Sequence, residues 1–214
     1  MAVDLGAGGE SGFIKLVLLF ASVSLAPALL AVLTSFARIV VVLMFLRAGL
    51  GAQEIPPTQV IIGLAILLAV VTMLPTLQPV YDDAVAPLLR EEIALGEAAV
   101  AAEEPMREFM RAQARPADLE LIRSLAERPE QDGRDAFSVL AAAFAISELR
   151  AAFLIGFIIY LPFVIIDLVV GATLASVGML SLPAPLLSLP FKVLLFVMVD
   201  GWALLTETLV RTMS

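Results

Sequence analysis

Apolar residues along this chain fall into four long runs, and charged residues gather in one stretch between the second run and the third. The first run, Phe13 to Leu46, is interrupted by Ser22, Ser24, Pro27, Thr34, Ser35 and Arg38. Its 34 residues would reach about 51 Å as one helix, well past a ~30 Å hydrocarbon core. One straight span is therefore excluded, and Pro27 is the expected kink or split. The second run is Thr58 to Leu77. Pro56 and Pro57 suit a helix start, and Pro75 and Pro79 are expected to end it. The third opens near Ala136 and closes near Val177, with a kink expected at Pro162. Its Ala141, Ala145, Ala152, Gly156, Gly171, Ala172, Ala175 and Ser176 form small-x-x-x-small patterns, which let helix backbones approach closely in an apolar medium. The fourth is Leu186 to Val210. Before it, VGMLSLPAPLLSLPF holds Gly178 and three prolines and predicts an irregular crossing.

The charged stretch, Tyr81 to Asp135, has 14 acids against 7 arginines and so a net charge of −7. Its apolar residues recur with helical spacing. Met106, Phe109 and Met110 share one face, with Pro105 placed for a helix start. After Pro116, Leu119, Ile122 and Leu125 share another, with Leu121 at its edge. Pro129 to Arg134 reads as a loop. Two short helices cannot enclose a large core, so their stripes are expected to pack on each other or on neighbouring subunits. The pattern as a whole predicts an all-α chain: a tail (1–12), a first helical hairpin (13–80), a soluble acidic helical insert (81–135), and a second hairpin (136–214) with an irregular loop at 178–190.

Composition moves the chain out of the soluble class. It is 61% hydrophobic with a mean hydropathy of +1.01, against about 45–50% apolar residues in an ordinary domain. There is no cysteine and no histidine, which removes thiolate chemistry and the commonest general base. No phosphate loop, dinucleotide fingerprint or zinc-protease motif is present. The reading is a membrane protein that is not an enzyme and needs no cofactor. The net charge of −8 offers no nucleic-acid face. Residues 1–12 hold Asp4 and Glu10 and no base, the reverse of a signal peptide's positive start. Arg38 and Arg47 flank the first connection, which the positive-inside rule places in the cytoplasm, with the insert and both termini on the other side.

Six charged residues lie in or beside the apolar runs: Arg38, Glu148, Arg150, Asp167, Lys192 and Asp200. An ionised group at a helix centre costs roughly 2.5–3.5 kcal/mol even on the mildest scale, so each needs a partner or a wet cavity. On one straight helix Lys192 and Asp200 would stand about 12 Å apart along the axis, too far to pair. Asp167 is the expected partner of Lys192, and Arg38 or Arg150 that of Asp200. Glu148 and Arg150 point to different faces of one helix and need outside partners. Lys192 has the alternative of snorkelling to a membrane interface. Asp167 has the alternative of a proton relay, though no inverted repeat accompanies it.

These residues sit in stretches that resemble a known family. TSFARIVVVLMFLRAGLGAQEIPPTQVIIGLA (34–65), ISELRAAFLIGFIIYLPFVIIDLVV (146–170) and LPFKVLLFVMVDGWALL (189–205) resemble three signature regions of the FliP family of flagellar export-gate proteins. The insert stretch EEPMREFMRAQARPADLELIRSLAE (103–127) resembles flagellar members more than the injectisome relatives. The resemblance implies a ring of five copies joined by a small two-helix (FliQ-like) subunit and a third (FliR-like) gate subunit. It implies a helical gate in the bacterial inner membrane and flagellar basal body, largely raised above the membrane plane, beside other export-apparatus membrane proteins. Such a gate conducts unfolded flagellar subunits and has no ATPase activity. The six charges are then expected to pair between helices and between neighbouring subunits. Family members carry consecutive methionines after the glycine matching Gly178, as a gasket around the pore. Here the matching positions are Met179, Leu180 and Ser181, so one methionine remains. Flagellar members also commonly carry a cleavable signal, and the contrast with residues 1–12 keeps an injectisome gate as one alternative. A proton-coupled transporter using Asp167 and Asp200 is the alternative of another class.

Overall fold

A computed structural model describes residues 31–51, 56–128, 130–131, 134–179 and 181–213, and with them Val17, Phe20, Ser24 and Ala28. The tail 1–12, Pro27 and Leu180 lie outside the described residues. The described chain is almost entirely helical.

The described positions Val17, Phe20, Ser24, Ala28 and 31–33 are helical, and the first run breaks at Thr34–Ser35. There the Phe36 N–H donates to the Thr34 hydroxyl at 3.3 Å, and buried Ser35 bonds Thr72 at 2.8 Å. A polar turn is tolerated here because its groups find partners inside the chain. Helix α1 (Phe36–Leu50) follows and ends at Gly51, whose φ of +74° only glycine adopts freely.

Helix α2 (Thr58–Val80) passes through both Pro75 and Pro79 and does not end at them. It continues through a π-turn (Tyr81–Val85) into α3 (Ala86–Leu89). The wider π-turn, in which the Ala86 N–H reaches back to the Tyr81 carbonyl, keeps the backbone bonded between one proline-interrupted stretch and Pro87. The apolar run thus enters the charged stretch without a structural boundary.

In the insert, α4 (Leu95–Gln113) starts ten residues before Pro105, which lies inside it. The start is fixed by Glu97, whose carboxylate accepts the Ala94 N–H at 3.0 Å. α5 (Pro116–Leu125) starts at its proline as expected. The segment read as a loop contains a minimal antiparallel pair, β1 (Glu130–Gln131) with β2 (Arg134–Asp135). Between them the sequence reads Asp-Gly, the pair that favours a two-residue hairpin. The insert's apolar stripes meet on a third element. Met110 packs with Leu140 and Phe144 of α6 (Phe137–Ser176), flanked by Phe109, Leu119 and Phe137. Ile122 is half-buried, and Leu125 is exposed.

α6 continues through Pro162 for 40 residues, about 60 Å and twice a hydrocarbon core. It lies along α1, and the contact is glycine-dependent at both ends. A Cβ on Gly156 would stand 2.5 Å from the Phe45 ring, and one on Gly49 would stand 2.5 Å from the Phe163 ring. Of the small-residue pattern, Ala152 and Gly156 are the members buried. The fourth run is two helices: α7 (Ala184–Met198) and α8 (Gly201–Arg211), bent by 61°. Asp200 makes the bend with a φ of +48°, a left-handed conformation that aspartate tolerates better than most residues. Gly201 then lets the Phe196 ring lie within 2.2 Å of where a Cβ would be, and Phe196 meets Trp202 edge-on at 5.3 Å. Among the described residues two helices are long and apolar enough to cross a membrane, or three with the bent pair.

Candidate functional site

Arg38 and Glu148 join α1 to α6. Arg38 donates from Nε to Glu148 Oε2 at 2.9 Å and from Nη2 to Oε1, and the residues are 4% and 1% exposed. A planar guanidinium matches a carboxylate in this two-bond way. Its other donors reach the Thr212 carbonyl at 2.8 Å and the Gln113 side chain at 3.1 Å. Gln113 in turn donates to the Met213 carbonyl at 3.2 Å. One arginine thus ties the body, the end of α4 and the C-terminal turn.

Arg150 turns instead toward the insert. It meets Asp118 at 3.0 Å, and buried Asp118 also accepts from Ser147 at 2.9 Å. Ser147 accepts the Arg115 N–H at 2.9 Å. With Arg38 on Glu148 and Arg150 on Asp118, neither serves Asp200, which is exposed at the α7–α8 bend. Asp200 is the left-handed residue that joins α7 to α8, and both arginines are engaged elsewhere.

Lys192 is 1% exposed and does not snorkel. Its ammonium donates to Asp167 Oδ2 at 2.7 Å, while the buried Ser188 hydroxyl donates to Asp167 Oδ1 at 2.5 Å. Gly51 closes the other side, since a Cβ there would lie 3.3 Å from Lys192 Nζ. The ammonium therefore stands at the C-terminal, partially negative end of α1.

The insert has its own centre. Asp135, 3% exposed, accepts two bonds from Arg123 and one from Arg111 at 3.3 Å, and its carbonyl accepts from Arg107 at 2.7 Å. The bond from Arg123 holds the Asp135 carboxyl below its ordinary value of 3.8. Among the described residues no buried side-chain polar atom lacks a partner.

The loop after α6 is fixed by its backbone. Gly178 takes a φ of +78°; its N–H donates to the Ala175 carbonyl at 3.1 Å, and the Met179 N–H to the Leu174 carbonyl at 2.9 Å. This paired capping leaves Met179 just past the turn that closes the helix, exposed together with Ser181.

The structure thus brings Arg38 to Glu148 and Lys192 to Asp167 within one chain and leaves Asp200 apart. Sequence reasoning did not single out Asp118, Ser147, Asp135, Ser188, Gln113 or Gly51. Ser188 had a signal: it stands four residues before Lys192, on the same helix face.

The chain was also compared with known proteins. The FliP family pattern matches residues 19–209. Flagellar biosynthetic protein FliP of Bacillus subtilis is 46% identical over 204 residues, covering 94% of this chain and 92% of that protein. Its namesake from Pectobacterium carotovorum is 44% identical, covering 96% of this chain and 81% of that protein. The Caulobacter vibrioides protein of the same name is 44% identical, covering 97% and 79%. Matched along nearly its whole length, with the charged helices and the insert both inside the match, the chain belongs to the FliP family.

Proposed function

We propose that this chain is a core subunit of the flagellar protein-export gate, conducting unfolded flagellar subunits across the bacterial inner membrane within the basal body. The observation that carries the reading is the family match over 19–209. The surface supports it. Phe153, Leu154, Phe157, Ile158, Ile165 and Leu168 on α6 are all more than half exposed, and apolar surface on that scale needs lipid or neighbouring subunits to cover it. In this reading five copies form the ring, with FliQ-like and FliR-like subunits as partners. Met179, Leu180 and Ser181 then line the pore as its seal, and an unbranched thioether suits a compliant contact. The flagellar version is favoured over an injectisome gate because the three relatives above all carry the flagellar name. A proton-coupled transporter has less support, because Asp200 sits at an exposed bend and Asp167 is engaged by Lys192 and Ser188.

Native mass spectrometry of the purified protein, alone and co-expressed with the two partner subunits, tests the reading. A pentamer that captures both is the expected result. A stable monomer or dimer that ignores both would overturn it.

A further inference from the structure

The distal part of α6 and the facing part of α7 form a hairpin beyond the body of the molecule. The last buried residue of α6 is Phe163, which packs on Gly49 near the end of α1. From 164 to 191 only one described side chain is buried, and it is a serine, Ser188. The remainder is apolar and outward-facing: Ile165, Leu168, Val169, Leu186 and Phe191 are each more than half exposed. Two such helices in lipid or among apolar neighbours gain little by burying apolar surface on each other. Directional polar contacts then decide how they sit, and those contacts are concentrated at one level. Asp167 lies four residues past Phe163, where it takes Ser188 at 2.5 Å and Lys192 at 2.7 Å. Gly51 brings the end of α1 against the same ammonium.

We propose that Ser188, Asp167 and Lys192, closed off by Gly51, form a root that sets the angle of this hairpin and thereby positions the Met179 loop. Ser188 is the positioning residue: its hydroxyl orients the one carboxylate that Lys192 needs, and it also lies 3.1 Å from the Pro185 carbonyl of its own helix. Met179 is 12 residues beyond Asp167, about 18 Å along a helix, so a tilt of about 10° at the root moves the loop by about 3 Å. The consequence for sealing rests on the reading of the Met179 loop as the gate's seal.

The test separates the two ideas. The chain has no cysteine, so Ala48→Cys and Ser176→Cys, both exposed, accept spin labels without background. The distance between them is measured in the assembled complex, diluted with unlabelled copies. Ion leak through the same complex in vesicles is measured in parallel, with Met179→Ala as the reference. Ser188→Ala is expected to shift the distance by about 2 Å, since Ser176 lies 9 residues past Asp167 and so about 13.5 Å along the helix, and to raise the leak severalfold with assembly intact. Ser188→Thr, which restores the hydroxyl, should bring both back. Asp167→Asn, which keeps one acceptor oxygen and loses the charge that Lys192 meets, should shift the distance as well. An unchanged distance in Ser188→Ala overturns the proposal whatever the leak does. A shifted distance with no added leak, while Met179→Ala leaks, overturns the link from root to loop. If Met179→Ala itself does not leak, the seal reading fails, and the distance alone then decides whether Ser188 sets the hairpin angle.

Discussion

Arg38–Glu148 and Arg123–Asp135 are both guanidinium–carboxylate pairs with two bonds, yet they sit in opposite surroundings. In the body both partners are buried, and the arginine's other donors are used on Gln113 and Thr212. In the insert only the carboxylate is buried; the Arg123 and Arg111 side chains are 47% and 56% exposed. Burial makes the first pair costly to break, because the survivor is left charged and dry. Exposure makes the second cheap, because water can replace each arginine. The body pair thus fixes which helices may adjoin, whereas the insert cluster fastens a small unit that can be loosened by itself.

The comparison predicts a hierarchy. Arg38→Ala should be the most damaging change, at about 3–5 kcal/mol, by stranding Glu148. The double change Arg38→Met with Glu148→Leu should recover most of the loss, apart from the bonds to Gln113 and Thr212. Denaturant unfolding in detergent checks both, and a double variant no better than the single would mean that the pair is not the main issue. Gly156→Ala should cost about 1–3 kcal/mol, since Phe45 meets the new methyl with its own Cβ as well as its ring. Pairing it with Phe45→Ala should relieve the contact with the ring but not the 2.9 Å approach of the Cβ, so only part of the penalty from the added methyl should be recovered. Lys192→Met stands at a similar level, about 1.5–3 kcal/mol, because it loses a charge-assisted bond while Asp167 keeps Ser188 and partial access to solvent. Here the loss should appear in unfolding of the single chain as well as in ring assembly; an effect on assembly alone would place the important contact between subunits.

The smallest effect is the acid response of the insert. Asp135 titrates below its ordinary value when folded, so the folded state binds its proton less readily than the unfolded state. Its contribution is therefore complete above about pH 4 and is lost as pH falls through the depressed value. Amide exchange in α4 and α5 should quicken over that acid range, and Asp135→Asn should exchange faster at neutral pH and lose that part of the response. Equal acid sensitivity in both proteins would show that another group governs it.

Several of these features were legible in the sequence and several were not. Helical periodicity in the insert marked the inward faces of Met110 and Leu119, but it could not say what they face, because a stripe specifies only an angle about its own axis. The cost of an ion in an apolar run marked Arg38, Glu148 and Lys192 as needing partners. Their identity depends on which helices adjoin, and so Arg38 reached Glu148 and never Asp200. Asp118 and Asp135 gave no signal at all, since an acid among 14 acids looks like solvated surface until the fold buries it.

What the sequence determined by itself is therefore the helical class, the membrane-like character, the acidic insert and, through three long stretches, the family. These follow from local composition and order, which do not need the rest of the chain to be read. Only the tertiary structure decided that α2 runs on past Pro75 and Pro79, that the fourth run bends at Asp200, and that the insert docks on α6. Each sets a local preference against bonds and contacts that only the folded chain supplies. A helix survives its prolines when a π-turn keeps neighbouring groups bonded, and a left-handed aspartate persists when Phe196, Gly201 and Trp202 close around the bend. Such contacts exist only once the helices have met.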